Sequence, residues 1–160
     1  MSPSIRVGIG YDAHRLVLRR PLFLGGVKIP HPRGLLGHSD ADVIIHAMVD
    51  ALLGAAGLPD IGTFFSNRED RWKNASSLVF LEEVAKMFAK RRIKILNVDS
   101  ILLSEAPKIA PYIPQMKSKI SRALEIPSSA IGIKASTNER MGFVGKYEGM
   151  AATAVALVSF

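Results

Sequence analysis

Residues 5–11 alternate polar and apolar positions around two glycines, a period of two that predicts a β-strand ending at Asp12. Residues 21–30 carry short apolar runs on either side of Gly25-Gly26, the pattern of a hairpin or bent strand with the glycines at its turn or bulge. The polar stretch 31–38 predicts a loop. At Ser39-Asp40-Ala41-Asp42 the pattern becomes a capping box, with Ser39 as cap and Asp42 three residues on, opening a helix that reaches about Gly57. That helix is apolar nearly all round, which places it in the interior. Residues 58–72 lose periodicity at Pro59 and in the charged run 67–71, and predict a mobile loop.

Leu78, Leu81, Val84, Ala85 and Phe88 then share one face of a second helix over residues 76–92. Residues 95–104 read as a strand. Residues 107–124 read as a turn and a helix, with Pro111 and Pro114 confined to its first turns. Strands are predicted again at 130–135 and 150–160. No repeat, low-complexity tract or linker divides the chain. Residues 1–160 therefore read as one α/β (α+β) domain, a mixed β-sheet packed against helices.

Composition narrows the options. With 160 residues, 48% of them hydrophobic, the chain can bury a core without disulfides. There is no cysteine, so any metal must sit on histidines and carboxylates. The longest apolar runs, such as residues 43–49, are broken by His46 and fall far short of a membrane span. Residues 1–5 lack the charged-then-apolar layout of a signal peptide, so a cytoplasmic location is expected, or a plastid if a targeting segment has been removed. The formal net charge of +7 suits an anionic partner. The densest basic run, residues 86–94, ends an amphipathic helix and has no interleaved aromatics for base stacking. A phosphorylated small molecule fits better than nucleic acid.

Two polar clusters stand out. Asp12-Ala13-His14 puts two ligand-type side chains on the same side of an extended chain. Asp42, His46 and Asp50 recur every four residues and form one polar stripe on the otherwise apolar helix. Two readings of the stripe stand at this point. It is either a hydrogen-bonded core network or subunit-facing stripe, or His46 is a third metal ligand beside Asp12 and His14, with Asp42 or Asp50 orienting the ligands from behind. Three nitrogen and oxygen ligands with one open position is the catalytic zinc pattern. His31, between prolines, reads as a surface residue. His38 and Ser39 precede the expected helix cap and read as a phosphate-facing pair. The second cluster, Ala135-Ser136-Thr137-Asn138-Glu139, follows a short strand; it is either a polar turn or a set of phosphate and magnesium contacts.

These segments, taken with Gly8-Ile9-Gly10-Tyr11-Asp12-Ala13-His14, Leu35-Leu36-Gly37-His38-Ser39-Asp40-Ala41-Asp42, Asp60-Ile61-Gly62, Ala106-Pro107-Lys108, Ile113-Pro114-Gln115-Met116 and Gly142-Phe143, keep their order over nearly the whole length. In this the chain resembles the 2-C-methyl-D-erythritol 2,4-cyclodiphosphate synthase family of the non-mevalonate isoprenoid pathway. The resemblance implies a homotrimer with active sites between subunits. It implies a cytidine-diphosphate-linked substrate, 4-diphosphocytidyl-2-C-methyl-D-erythritol 2-phosphate, whose 2-phosphate attacks the β-phosphorus and expels CMP. It implies zinc, or another divalent transition metal, on Asp12, His14 and His46, and a second ion, magnesium or manganese, at Glu139. His38 and Thr137 match residues that stabilise the transition state. Substrate contacts are implied at Ser39, Asp60, Gly62, Phe65, Ser136 and Phe143. Ser104, Pro107, Lys108, Ala110 and Ala135 match the cytidine pocket, with Lys108 near the phosphates.

The chain also departs from the family pattern. Asn67 and Glu69 stand where the family loop carries aspartates, and Lys146 stands where arginine is usual at an anion-binding position near the trimer axis. Lysine keeps the charge without the bidentate fork. Two other functions remain in view from sequence: a zinc phosphohydrolase acting through a metal-bound water, and a non-enzymatic anion-binding trimer.

Overall fold

The computed structural model describes residues 4–160, so the first three of the residues 1–5 on which the signal-peptide expectation rests lie outside it. In chain order the elements are β1 (Ile5–Leu18), β2 (Leu22–Leu24), β3 (Val27–Ile29), β4 (Arg33–Leu35), α1 (Val43–Ala55), α2 (Ile61–Phe64), α3 (Leu78–Lys90), β5 (Lys94–Leu103), α4 (Ile113–Leu124), β6 (Ile131–Ser136), α5 (Gly142–Gly145) and β7 (Gly149–Ser159). The main sheet has the order β4-β1-β7-β5-β6 and is mixed, with β5 and β6 parallel and the other neighbours antiparallel. β2 and β3 form a separate hairpin whose turn, Gly25-Gly26, uses positive φ at both residues, as glycine allows. This is the expected single-domain α/β architecture.

Three expectations change in detail. The first strand does not end at Asp12. It stays paired with β7 through His14↔Met150 and then pairs with β4 at Leu16↔Leu35, which satisfies its backbone as far as Leu18. The stretch expected to be loop therefore contains a strand. The first helix begins at Val43, not behind a Ser39 cap. Ala41 has φ 56°, which helical geometry forbids, and the Asp42 side chain takes the cap role by accepting from Ile45 N at 3.2 Å. The segment 58–72 is also more ordered than its sequence suggests. It holds α2, capped by Asp60 through Thr63 N at 2.9 Å, and a 3-10 turn at Asp70–Trp72. Phe65 stacks on Phe80 with centroids 4.6 Å apart, and Trp72 meets the same ring edge-on at 5.4 Å. Aromatic packing, not helix propensity, ties this stretch down.

α1 is buried on almost every side and lies across β1 and β7. Its approach to β1 is close because the β1 face beneath it carries Gly8 and Gly10. A Cβ on Gly10 would fall 1.9 Å from the carbonyl oxygen of Ala47. The apolar residues of the alternation, Ile5, Val7, Ile9 and Tyr11, point the other way, and Ile9 is 71% exposed in the single chain.

Candidate active site

The glycine seam brings His46, on α1, over Asp12 and His14, on β1. Asp12 Oδ2 lies 2.8 Å from His14 Nε2 and 3.0 Å from His46 Nδ1, and the two ring nitrogens are 3.2 Å apart. The protons on these rings are placed by their other nitrogens. His14 Nδ1 is 2.8 Å from the Leu36 carbonyl oxygen, which can only accept, so Nδ1 carries the proton and Nε2 presents a lone pair. His46 Nε2 is 2.9 Å from Ser77 Oγ, leaving Nδ1 to face Asp12. Two lone pairs and a carboxylate oxygen thus converge on one point. A tetrahedral zinc ion with bonds of about 2.0–2.2 Å spaces its donors roughly 3.3 Å apart, so the set fits such an ion. The three residues form a group able to hold a metal ion, and each remains partly accessible to solvent.

The electrostatics agree. Burial alone would raise the Asp12 carboxyl, yet in the metal-free protein the hydrogen bonds and charge that His14 and His46 supply when the facing nitrogens carry a proton hold it well below the usual carboxylate range. His14 shows the reverse balance: burial lowers it, but the hydrogen bond and charge of Asp12 leave it raised above its ordinary value of 6.5. Asp12 is therefore ready to bind at any neutral pH, whereas a proton on His14 competes with the metal. Zinc affinity of the metal-free protein should fall as pH drops through the raised His14 pKa, by about tenfold per unit below it. Proton release on binding, read by calorimetry in buffers of different ionisation enthalpy, should approach one per zinc there and vanish above it.

Beside these three residues lies a hollow of about 260 Å³, lined by His14, His38, Ser39, His46, Gly62 and Phe65 together with Ile61, Asn67, Trp72 and Phe80. His38 Nε2 donates to the Glu69 carbonyl at 3.2 Å, and the Glu69 carboxylate pairs with Arg71 at 2.7 Å. Asp60 is spent on its cap. Ser39 sits at no helix N-terminus, since that helix starts four residues later. Its hydroxyl is 3.2 Å from His46 Nε2.

The second cluster is elsewhere. Ser104, Pro107, Lys108 and Ala110 follow β5, Ala135 and Ser136 end β6 and Thr137 and Glu139 follow it, joined where Ser104 N donates to the Ser136 carbonyl at 3.0 Å. Glu139 and Arg140 both adopt left-handed backbone, φ 50° and 63°, and the Glu105 carboxylate holds their loop by accepting from Asn138 N at 2.8 Å and Arg140 N at 3.3 Å. Thr137 Oγ1 donates to Glu139 Oε1 at 2.8 Å. Phe143 is exposed on α5, and Lys146, also exposed, lines a different hollow with Arg15 and Arg33. The strand register puts both clusters at one level of the sheet: Asp12 pairs with Ala152, Ala152 with Leu102, and Leu102 with Ala135. Three strand spacings, about 14 Å, separate them.

The expectation that Asp42 or Asp50 orients the ligands is corrected. Asp42 is fully buried and accepts from Gly25 N at 3.0 Å and Gly26 N at 2.6 Å, clamping the β2–β3 turn onto α1. Burial and the nearby Asp40 charge push its carboxyl up to about 6 against these donors. Asp50 accepts from Ile61 N at 2.7 Å and so anchors α2. The side chains that do meet His46 from behind are Ser77, at 2.9 Å and missed by sequence reading, and Ser39 at 3.2 Å. A serine opening a helix carries no sign that its hydroxyl is used elsewhere.

Comparison with known proteins gives this site a context. Residues 5–159 match the YgbB family. The 2-C-methyl-D-erythritol 2,4-cyclodiphosphate synthase of Symbiobacterium thermophilum is 53% identical over 153 residues, covering 96% of this chain and 98% of that protein. The bifunctional IspDF of Campylobacter jejuni superposes with a TM-score of 0.90 at 36% identity, over 99% of this chain and 43% of the larger protein. IspF of Plasmodium falciparum, solved as a CDP complex, superposes at 0.85 with 35% identity, over 97% of this chain and 96% of that one. With its Asp12–His14–His46 cluster set in this fold, the chain belongs to the YgbB family, the family of the 2-C-methyl-D-erythritol 2,4-cyclodiphosphate synthases, which are phosphorus–oxygen lyases.

Proposed function

We propose that this chain converts 4-diphosphocytidyl-2-C-methyl-D-erythritol 2-phosphate to 2-C-methyl-D-erythritol 2,4-cyclodiphosphate and CMP, at sites assembled between the subunits of a homotrimer. The observation that carries the reading is the convergence of three bare donor atoms in one row of the sheet with a phosphate-type cluster about 14 Å away. The uncovered face of β1, with Ile5, Val7, Ile9 and Tyr11, supports association, because an apolar strip of this kind marks an interface. A neighbouring copy would then bring its second cluster to the first cluster of this one.

In the reaction, one 2-phosphate oxygen forms a bond to the β-phosphorus, the bond from that phosphorus to the oxygen bridging to CMP breaks, and CMP leaves with that oxygen. No water is consumed. Asp12, His14 and His46 would hold zinc or another divalent transition metal, and Glu139 magnesium or manganese, and such ions would supply charge neutralisation for the phosphoryl oxygens. The nucleophile belongs to the substrate, so the protein's task is placement and electrostatics. His38, Ser39, Gly62 and Phe65 line the hollow where the erythritol phosphate would sit, with Asp60 at its edge. Thr137 and His38 stabilise the transition state, and Ser136 contributes to holding the phosphates. Ser104, Pro107, Lys108, Ala110 and Ala135 receive the cytidine, a role supported by the CDP bound to the Plasmodium relative. The segment carrying Phe65 and Glu69 closes over the substrate, Phe143 contacts it, and Lys146 borders the trimer axis. The purified protein with this substrate and both metals should release CMP and cyclic diphosphate in equal amounts. CMP with linear phosphates would mean hydrolysis instead.

A further inference from the structure

Ser77 occupies the N-cap position of α3, where a serine side chain ordinarily accepts from a backbone N–H of the first turn. Here it makes no such bond. The hydroxyl is wholly buried and is used in another direction. Ser77 Oγ donates to Asp40 Oδ1 and lies 2.9 Å from His46 Nε2. Asp40 Oδ1 also accepts from Asp42 N at 3.2 Å, and Asp40 Oδ2 accepts from Ser77 N at 3.0 Å. A carboxylate only accepts. The serine proton must therefore point to Asp40, and the serine oxygen must accept from His46 Nε2–H.

We infer that Ser77 and Asp40 are positioning residues that fix His46 in its Nε2–H tautomer and so keep its Nδ1 lone pair aimed at the metal position. This rests on the metal reading of Asp12, His14 and His46. Ser39 Oγ, 3.2 Å from His46 Nε2, is a weaker auxiliary acceptor that also accepts from Ala41 N at 3.2 Å and lies 3.5 Å from Ser77 Oγ. An Asp–Ser–His set also raises the question of a serine nucleophile. The order excludes it: serine lies between the other two, its proton is on Asp40, and no substrate reaches a fully buried oxygen.

The test is zinc affinity of the full chain, stripped of metal and titrated with Zn²⁺ against a chromophoric chelator. Wild type is expected to take up one zinc per chain. Ser77→Ala removes no cap bond, and the metal-free variant should keep the wild-type circular dichroism while binding zinc about 10- to 100-fold more weakly. Asp40→Asn should do the same by a different route. Its amide can donate to the serine, which turns the hydroxyl toward His46 Nε2 and moves the ring proton to Nδ1. Cobalt-loaded variants should show an altered visible spectrum, which a purely structural role would not produce. Folded variants with wild-type zinc affinity would overturn the proposal. So would loss of fold in both, which would make the pair a folding element. Wild type that takes up no stoichiometric zinc would instead remove the metal reading itself.

Discussion

His46→Ala is expected to abolish turnover and leave a folded protein. The side chain supplies one of three donors, and two remaining ligands hold a divalent ion too weakly to survive purification. Losing the ion removes several kcal/mol of transition-state stabilisation, a rate loss of about 10³-fold or more. The fold tolerates the change because alanine is a strong helix former and α1 is held by its many other buried residues. Metal content by mass spectrometry should drop to background, and the thermal midpoint of the metal-free variant should stay close to that of metal-free wild type. Glu139→Ala is the counterpart. Glu139 is exposed and far from the histidines along the sheet, so turnover should fall comparably while zinc content is unchanged.

Gly10→Ala should be strongly destabilising for the addition of a single methyl group. The new Cβ would lie 1.9 Å from Ala47 O and 2.7 Å from Ala51 N. Both are backbone atoms of α1, so no side chain can swing aside. The helix must lift from the sheet, against the cost of a disturbed core. Overpacking of this kind costs about 3 kcal/mol, or a thermal midpoint lower by roughly 6–12 °C at this chain length. The lift also moves His46 away from Asp12 and His14, so zinc binding should weaken in whatever protein stays folded. Gly54→Ala is the control. Its Cβ would meet nothing nearer than Ile9 O at 3.8 Å, so the midpoint should hold or rise slightly. Thermal denaturation of the two variants side by side checks both expectations.

The contrast between these glycines shows what the sequence could and could not reveal. The alternation at residues 5–11 named a strand correctly, but not which face is core. The apolar side chains point outward, and the face under α1 is glycine, because a helix backbone occupies the space that side chains would need. Periodicity located α1, α3, α4 and the long strands, whose packing repeats every turn or every second residue. It did not locate β4 or α2, which are stabilised by one neighbouring strand and one aspartate cap. The Asp12–His14–His46 group was legible because aspartate and histidine two apart on a strand, and a histidine on a mostly apolar helix, stand out from their neighbours. The supporting shell was not. Asp42 and Asp50 share a stripe with His46, yet each turns to a backbone N–H of a neighbouring segment, and the hydroxyl that reaches His46 comes from another helix.

The most direct test of a site shared between chains is to mix His46→Ala and Glu139→Ala subunits, each inactive alone, by unfolding and refolding them together. If the first cluster of one chain works with the second cluster of its neighbour, random reassembly at equal amounts gives about a quarter of the sites two intact halves. Activity should then return to roughly that fraction of wild type. If both clusters must come from the same chain, every site keeps one defect and the mixture stays as inactive as its parts, which would contradict the account.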